Sequence, residues 1–276
     1  MSIRYEKDGN VYYTLNDSPK LPVIIMVHGY RGTHHGLELI AKRLIGYRVI
    51  IPDLPGFGET KPLTVEHSLE NYVSWLDKFI DSLQLLKPPV LLGHSFGSIV
   101  ASSFASKYPK KITKLILINP IGAPALKGPR AIMTRFALFF YWVGRMLPEP
   151  RAKRWLSAKP IVKIMSTTMT KTDDKKLRQF ILNQHLTYFN RFANSKVAEE
   201  AFKTSTIHNV RDVAQIINVP TLLIAGDRDD ITPIAKQREL AKLFPNARLE
   251  IIKGVGHLTH YETPDQLSEI IKKFTR

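Results

Sequence analysis

Five residues, Gly93-His94-Ser95-Phe96-Gly97, set a hydroxyl between two glycines. They lie directly after the apolar run Val90 to Leu92 and directly before a helical pattern at Ile99, Val100 and Phe104. A strand that turns sharply into a helix at such a serine strains its backbone, and flanking glycines let neighbouring chain come close enough for the turn. The hydroxyl then projects away from the sheet, above a helix N-terminus that favours negative charge. A serine hydroxyl is a weak nucleophile at neutral pH, so the chemistry needs a base and a group to orient that base. Asp229 offers a carboxylate three residues beyond Gly226, just past the run Thr221 to Ile224. His257 offers an imidazole just past Leu249 to Ile252. Asp227 and Asp230 compete with Asp229, and His260 competes with His257. The bare pentapeptide also occurs as an ordinary Gly/Ser turn, so its placement between strand and helix carries the reading.

The elements that must position these residues are legible in the apolar pattern. Ile3 to Leu15 reads as a hairpin with its turn at Asp8-Gly9. After it, continuous apolar runs alternate with helical periodicity: Val23 to Val27, then Leu37/Ile40/Ala41/Leu44; Arg48 to Ile51, then Leu69 to Leu83; Val90 to Leu92, then Ile99 to Phe104. Strands buried on both faces read as unbroken apolar runs, so a mostly parallel sheet covered by helices on both faces is expected. Leu115 to Ile118, Thr221 to Ile224 and Leu249 to Ile252 extend it. Thr232-Pro233 reads as an N-cap followed by proline at the first helical position, and Thr263-Pro264-Asp265-Gln266 as a capping box that opens a final helix. Between Ile121 and Asp212 no strand-like run occurs, and a loop of that length is implausible, which leaves an inserted helical subdomain. The domain division is therefore residues 1–120 and 213–276 as the α/β core and 121–212 as a helical insertion. Within it Ala131 to Leu147 is apolar almost all round, and Leu177, Phe180, Ile181, Tyr188 and Phe192 fall on one helical face.

Composition narrows the class further. The chain has 276 residues, 44% apolar and 23% charged, ordinary globular usage that disfavours disorder, collagen and coiled coil. The absence of cysteine excludes a disulfide scaffold, a thiolate nucleophile and an iron-sulfur cluster. No signal-peptide pattern or membrane span is read in MSIRYEKDGN or in the uncharged stretch Pro88 to Ser106, so the expectation is a cytoplasmic protein. Net charge is +16, and 17 Lys/Arg against 6 Asp/Glu lie between Ile121 and Asp212. The excess raises nucleic acid or an anionic membrane surface as partners. No nucleic-acid module accompanies it, and a solvated surface is the plainer reading over membrane association.

Ser95, then Asp229, then His257 is the order found in α/β-hydrolases, and the chain resembles that fold family over Val23 to Pro120 and Val219 to Phe274. His28-Gly29-Tyr30 resembles the family's oxyanion loop, Pro52-Asp53-Leu54-Pro55-Gly56-Phe57-Gly58 resembles the loop after its next parallel strand, and GDRDDITP and GHLTHYETP resemble its acid and histidine segments. The helical insertion falls where the family carries its cap. The resemblance implies Ser95 as nucleophile, His257 as general base and acid, Asp229 as the orienting acid, and the backbone N–H groups of Tyr30 and Phe96 as the oxyanion hole. It implies neither cofactor nor metal, and a small-molecule ester as partner. His28 is expected to hold its loop, His94 to pack, His34 and His35 to sit on a solvated loop, and His67, His185 and His208 to be surface or cap residues. Phe136, Phe139, Phe140, Tyr141 and Trp142 offer lining for an acyl pocket, although a helix so apolar equally packs between core and cap. The expected reaction is hydrolysis of small to medium, mostly apolar carboxylic esters through an acyl-enzyme. Carbon-carbon bond hydrolysis of ring-fission products by the same three residues, and a non-catalytic ligand-binding role, stand as alternatives. The carboxylate-nucleophile branches are disfavoured by Ser95, and proline iminopeptidase activity by the few cap acids, among them Glu149, Glu199 and Glu200.

Overall fold

The structure, a computed structural model, describes residues 2–126 and 131–276. Eight strands form one mixed, mostly parallel sheet: β1 (Ser2–Lys7), β2 (Asn10–Leu15), β3 (Val23–Val27), β4 (Arg48–Pro52), β5 (Val90–His94), β6 (Lys114–Ile118), β7 (Thr221–Gly226) and β8 (Ala247–Ile252). Their order across the sheet is β1-β2-β4-β3-β5-β6-β7-β8. The hairpin forms with Asp8 and Gly9 both at positive φ, as its tight turn demands. β2 joins β4 antiparallel, and every pairing from β4 to β8 is parallel.

Alternate residues of the central strands feed two cores. Ile25, Val27, Leu91, Leu115, Leu117 and Leu223 point into one, under α2 (Leu69–Ser82) and α3 (Phe96–Lys107). Ile24, Met26, Leu92, Ile116, Ile118 and Leu222 point into the other, under α1 (Glu38–Ala41) and α11 (Pro264–Thr275), which the short α10 (Thr259–Glu262) precedes. Two-sided burial is why these strands read as unbroken apolar runs. Because β4 lies on one side of β3 and β5 on the other, the chain reverses direction across the sheet at β3, and in open α/β sheets such a reversal marks where ligands bind, beyond the carboxyl ends of the strands.

Among the described residues between β6 and β7 stand five inserted α-helices, α4 (Ala131–Met146), α5 (Glu149–Leu156), α6 (Lys159–Met169), α7 (Lys175–Tyr188) and α8 (Ser195–Ile207). Phe192 is not on the face of α7, which ends at Tyr188; it pairs with Phe57 instead. The insertion is fastened to the sheet by Arg31, which is 1% exposed and sits at positive φ. Its guanidinium donates to the carbonyls of Leu156 and Phe189, to Tyr141 Oη and to Asn190 Oδ1, and it lies 5.2 Å from the Phe192 ring centre. Among the described residues no carboxylate pairs with it. Leu156 and Phe189 close α5 and α7, and terminal carbonyls lack helical partners and carry the negative end of the helix dipole, so they can serve a buried cation.

Two expected caps are built differently. Thr263 makes no side-chain cap to α11; its hydroxyl donates to the Thr259 carbonyl. Helix α9 (Ile234–Ala241) starts after Pro233, and Thr232 is drawn elsewhere.

Candidate active site

Five strand ends converge. Tyr30 follows β3, Ser95 follows β5, Asn119 follows β6, Asp229 follows β7 and His257 follows β8. Ser95 sits at φ 52° and ψ −118°, a left-handed conformation that strains a residue with a β-carbon. A β-carbon at Gly93 would lie 2.3 Å from the Gly97 carbonyl oxygen, and one at Gly97 would lie 2.2 Å from that of Val27. Both glycines of the pentapeptide are thus required by close backbone approach.

The three side chains singled out by their order form one hydrogen-bonded chain. His257 Nε2 is 2.8 Å from Ser95 Oγ, and His257 Nδ1 is 2.7 Å from Asp229 Oδ2. An ionised carboxylate only accepts, so Nδ1 carries the proton and Nε2 presents its lone pair to the serine hydroxyl. Asp229 also accepts from Ile231 N and Thr232 N on Oδ1, and from Thr232 Oγ1 and Asn119 Nδ2 on Oδ2. Burial pushes this carboxyl up, but the adjoining imidazole and the Thr232 donors overcome that and hold it well below the usual carboxylate range. Asp227 accepts instead from Gly254 N, and Asp230 pairs with Lys171. Neither bonds to His257.

Three contributors were invisible to spacing alone. Asn119, buried and at positive φ, donates to Asp229 and accepts from Thr259 Oγ1; its only sequence signal is Asn-Pro directly after a strand. Thr232, read as a helix cap, donates to the carboxylate. Ser98 Oγ donates to the Ser95 carbonyl and accepts from Ile121 N, linking the turn to the start of the insertion.

The histidines sort by their partners. Leu54 N–H donates to His28 Nε2, so His28 Nδ1 is the protonated nitrogen and donates to the Gly29 carbonyl. That fixes the loop leading to Tyr30. A β-carbon built on Gly29 would lie 3.2 Å from Ser95 Cβ, so this loop rests against the serine. The backbone N–H groups of Tyr30 and Phe96 donate to no described residue. Rather than lying on a solvated loop, His34 is buried against Asp53, with His35 half-buried beside Glu38. Those two histidines and Glu38 are the one group among the described residues close enough to hold an ion, and none of them bonds to Ser95, Asp229 or His257. His67 is likewise not on the surface; it is buried, accepting from Leu63 N and facing Glu200 of α8.

Burial drives His94 and His185 down to about 3, aided at His94 by His257, and holds His260 well below its ordinary value, aided by His94. The unfolded chain takes up protons at these positions below 6.5, and the folded protein refuses them until far lower pH. Stability is therefore unaffected by these groups above that pH and falls as pH drops from there toward 3. Urea titrations from roughly pH 7 down to roughly pH 5 are expected to show unfolding that takes up about two protons or more. Neither ring nitrogen of His185 has a partner, so His185→Leu should remove close to one of them. An uptake unchanged in that variant would contradict the assignment.

The aromatic residues proposed to line a pocket do not do so as a group. Tyr141 faces inward, 5.7 Å from the Tyr30 ring, but Phe136, Phe139 and Trp142 are exposed on the outer side of α4. The helix neither buries them in a pocket nor packs them between core and insertion.

A model of the alpha/beta hydrolase fold matches residues 22–264. "Lipase 3" of Moraxella sp. (strain TA144) is 25% identical over 99% of this chain and 83% of its own length. The uncharacterized hydrolase YugF of Bacillus subtilis is 28% identical over 99% of this chain and 97% of its own. Among solved structures, a thermophilic esterase from Thermogutta terrifontis superposes with a TM-score of 0.78 at 23% identity, covering 100% of this chain and 98% of that one. By the family model, the strand order and the inserted helices together, this chain belongs to the alpha/beta hydrolase fold family.

Proposed function

We propose that the protein hydrolyses carboxylic esters of small to medium, mostly apolar acyl groups through an acyl-enzyme formed on Ser95. The observation that carries this reading is the continuous hydrogen-bonded chain from Ser95 through His257 to Asp229. The Ser95 oxygen attacks the ester carbonyl carbon while its proton passes to His257 Nε2. Negative charge moves to the carbonyl oxygen, where the N–H groups of Tyr30 and Phe96 stabilise it. Collapse breaks the carbon–oxygen bond to the alcohol, which leaves with the proton from His257. A water then gives its proton to His257 and attacks the acyl group, which leaves as the acid while the proton returns to Ser95. Asp229 stays ionised throughout, orienting the ring and opposing its transient positive charge. In this reading residues 121–212 form the cap that shapes the acyl site, and residues 1–120 and 213–276 the core that performs the reaction.

The test is intact mass after incubation with a fluorophosphonate, for wild type and Ser95→Ala, alongside turnover of p-nitrophenyl acetate, butyrate, octanoate and palmitate. One adduct on wild type alone, with turnover greatest from acetate to octanoate, is the expected result. Neither adduct nor turnover would return the protein to a ligand-binding role.

A further inference from the structure

The outer face of α4 is apolar and uncovered. Ile132, Phe136, Phe139 and Met146 are exposed by 63%, 68%, 59% and 61% of their surface, with Trp142 beside them at 49%. Together with half-buried Val143, the spacing 132, 136, 139, 143, 146 draws one stripe along the helix. Trp155, stacked on Phe140, extends the patch. A contiguous exposed surface of this kind marks a site of association.

The charge around it selects the partner. From Ala131 to Met169 the chain holds seven Lys/Arg and one acid, Glu149. That acid is already committed, accepting from Ser195 N and Ser195 Oγ. On α4 and on α5, which packs against it, Arg135, Arg145, Arg151 and Arg154 have no carboxylate partner among the described residues. A second copy docking face to face would bring two such basic rims together, and the repulsion opposes it. An anionic bilayer accepts both features: its phosphates meet the basic rim and its acyl boundary receives the aromatic stripe.

We infer that the exposed face of α4 seats this protein on anionic phospholipid surfaces. The inner side of the same helix touches Tyr30 through Tyr141, so a bilayer on the outer side lies one helix away from the loop that rests against Ser95. Membrane seating does not require Ser95 to act, so the two readings fail separately.

Vesicles of ether-linked phosphatidylcholine, with and without ether-linked phosphatidylglycerol, test this without any ester to cleave. The protein is expected to sediment with the anionic vesicles, to release at high salt, and to ignore the neutral ones. Phe136→Ser combined with Phe139→Ser should lower the partition coefficient roughly tenfold or more, with the melting temperature and the turnover of soluble esters as in wild type. The proposal is overturned if wild type stays in the supernatant with anionic vesicles, or if the double variant partitions like wild type. A concentration-dependent dimer that the double variant dissolves would also overturn it, by giving the face to a second copy.

Discussion

Ser95→Gly is expected to abolish ester hydrolysis and yet to be more stable than Ser95→Ala. In Ser95→Ala the loss of kcat/KM for p-nitrophenyl butyrate should be roughly 10^4-fold or more, since the residual acceleration comes only from binding and the oxyanion donors. Glycine removes the proposed nucleophile equally, so both variants should share the kinetic defect. They differ in stability. At φ 52° and ψ −118° the alanine β-carbon keeps the clash that the serine suffers, whereas glycine occupies that region freely. Strain of this kind costs roughly 1–3 kcal/mol, and the extra backbone entropy of glycine returns part of it, leaving a gain of about 1 kcal/mol for Ser95→Gly over Ser95→Ala. Urea unfolding of the two variants measures the difference directly. A glycine variant less stable than the alanine variant would mean that the turn is unstrained.

Gly97→Ala is expected to damage both fold and activity. Its β-carbon would fall 2.2 Å from the Val27 carbonyl oxygen and 2.7 Å from that of His28, both main-chain atoms of the central strand and its loop. No side-chain rotamer relieves such a contact, so α3 must lift from β3, at a cost of about 3 kcal/mol or more. The lift moves Phe96 relative to the loop that carries Tyr30, so ester turnover should fall further than the remaining folded fraction explains. Gly36→Ala is the control: its β-carbon would meet nothing closer than Tyr261 Oη at 3.7 Å, and the change should stay within about 0.5 kcal/mol. Thermal melts of the pair decide the matter, and equal melting temperatures would refute the steric account.

Most of the scaffold was legible because its signals are local. Unbroken apolar runs mark strands buried on both faces, and each later proved to be a strand of the sheet. The pentapeptide around Ser95 was legible for the same reason, since strand, turn and helix adjoin in sequence. Asn119 was not, because its role depends on β6 and β7 lying side by side, which no spacing within the chain announces. Thr232 illustrates competition: as a cap its hydroxyl would have to face the first N–H groups of α9, but the hydroxyl is directed at Asp229, to which it donates, and it makes no cap. Thr263 similarly bonds back to the preceding turn. Helix α4 defeated the reading for a different reason. Apolar residues nearly all round leave no polar side to mark the solvent, so the pattern could not say which side faced out.

Arg31 bears on how such a protein could be rebuilt by recombination. Its charge is satisfied only by helix-end carbonyls, a phenol and an amide that all belong to the inserted segment. A foreign insertion spliced onto this sheet would have to end its helices at the same places, or seal a lone cation in apolar surroundings. The exchangeable unit is therefore larger than the helices themselves: it includes the residue that follows Tyr30, and any donor of a new insertion must bring its own counterpart at that position.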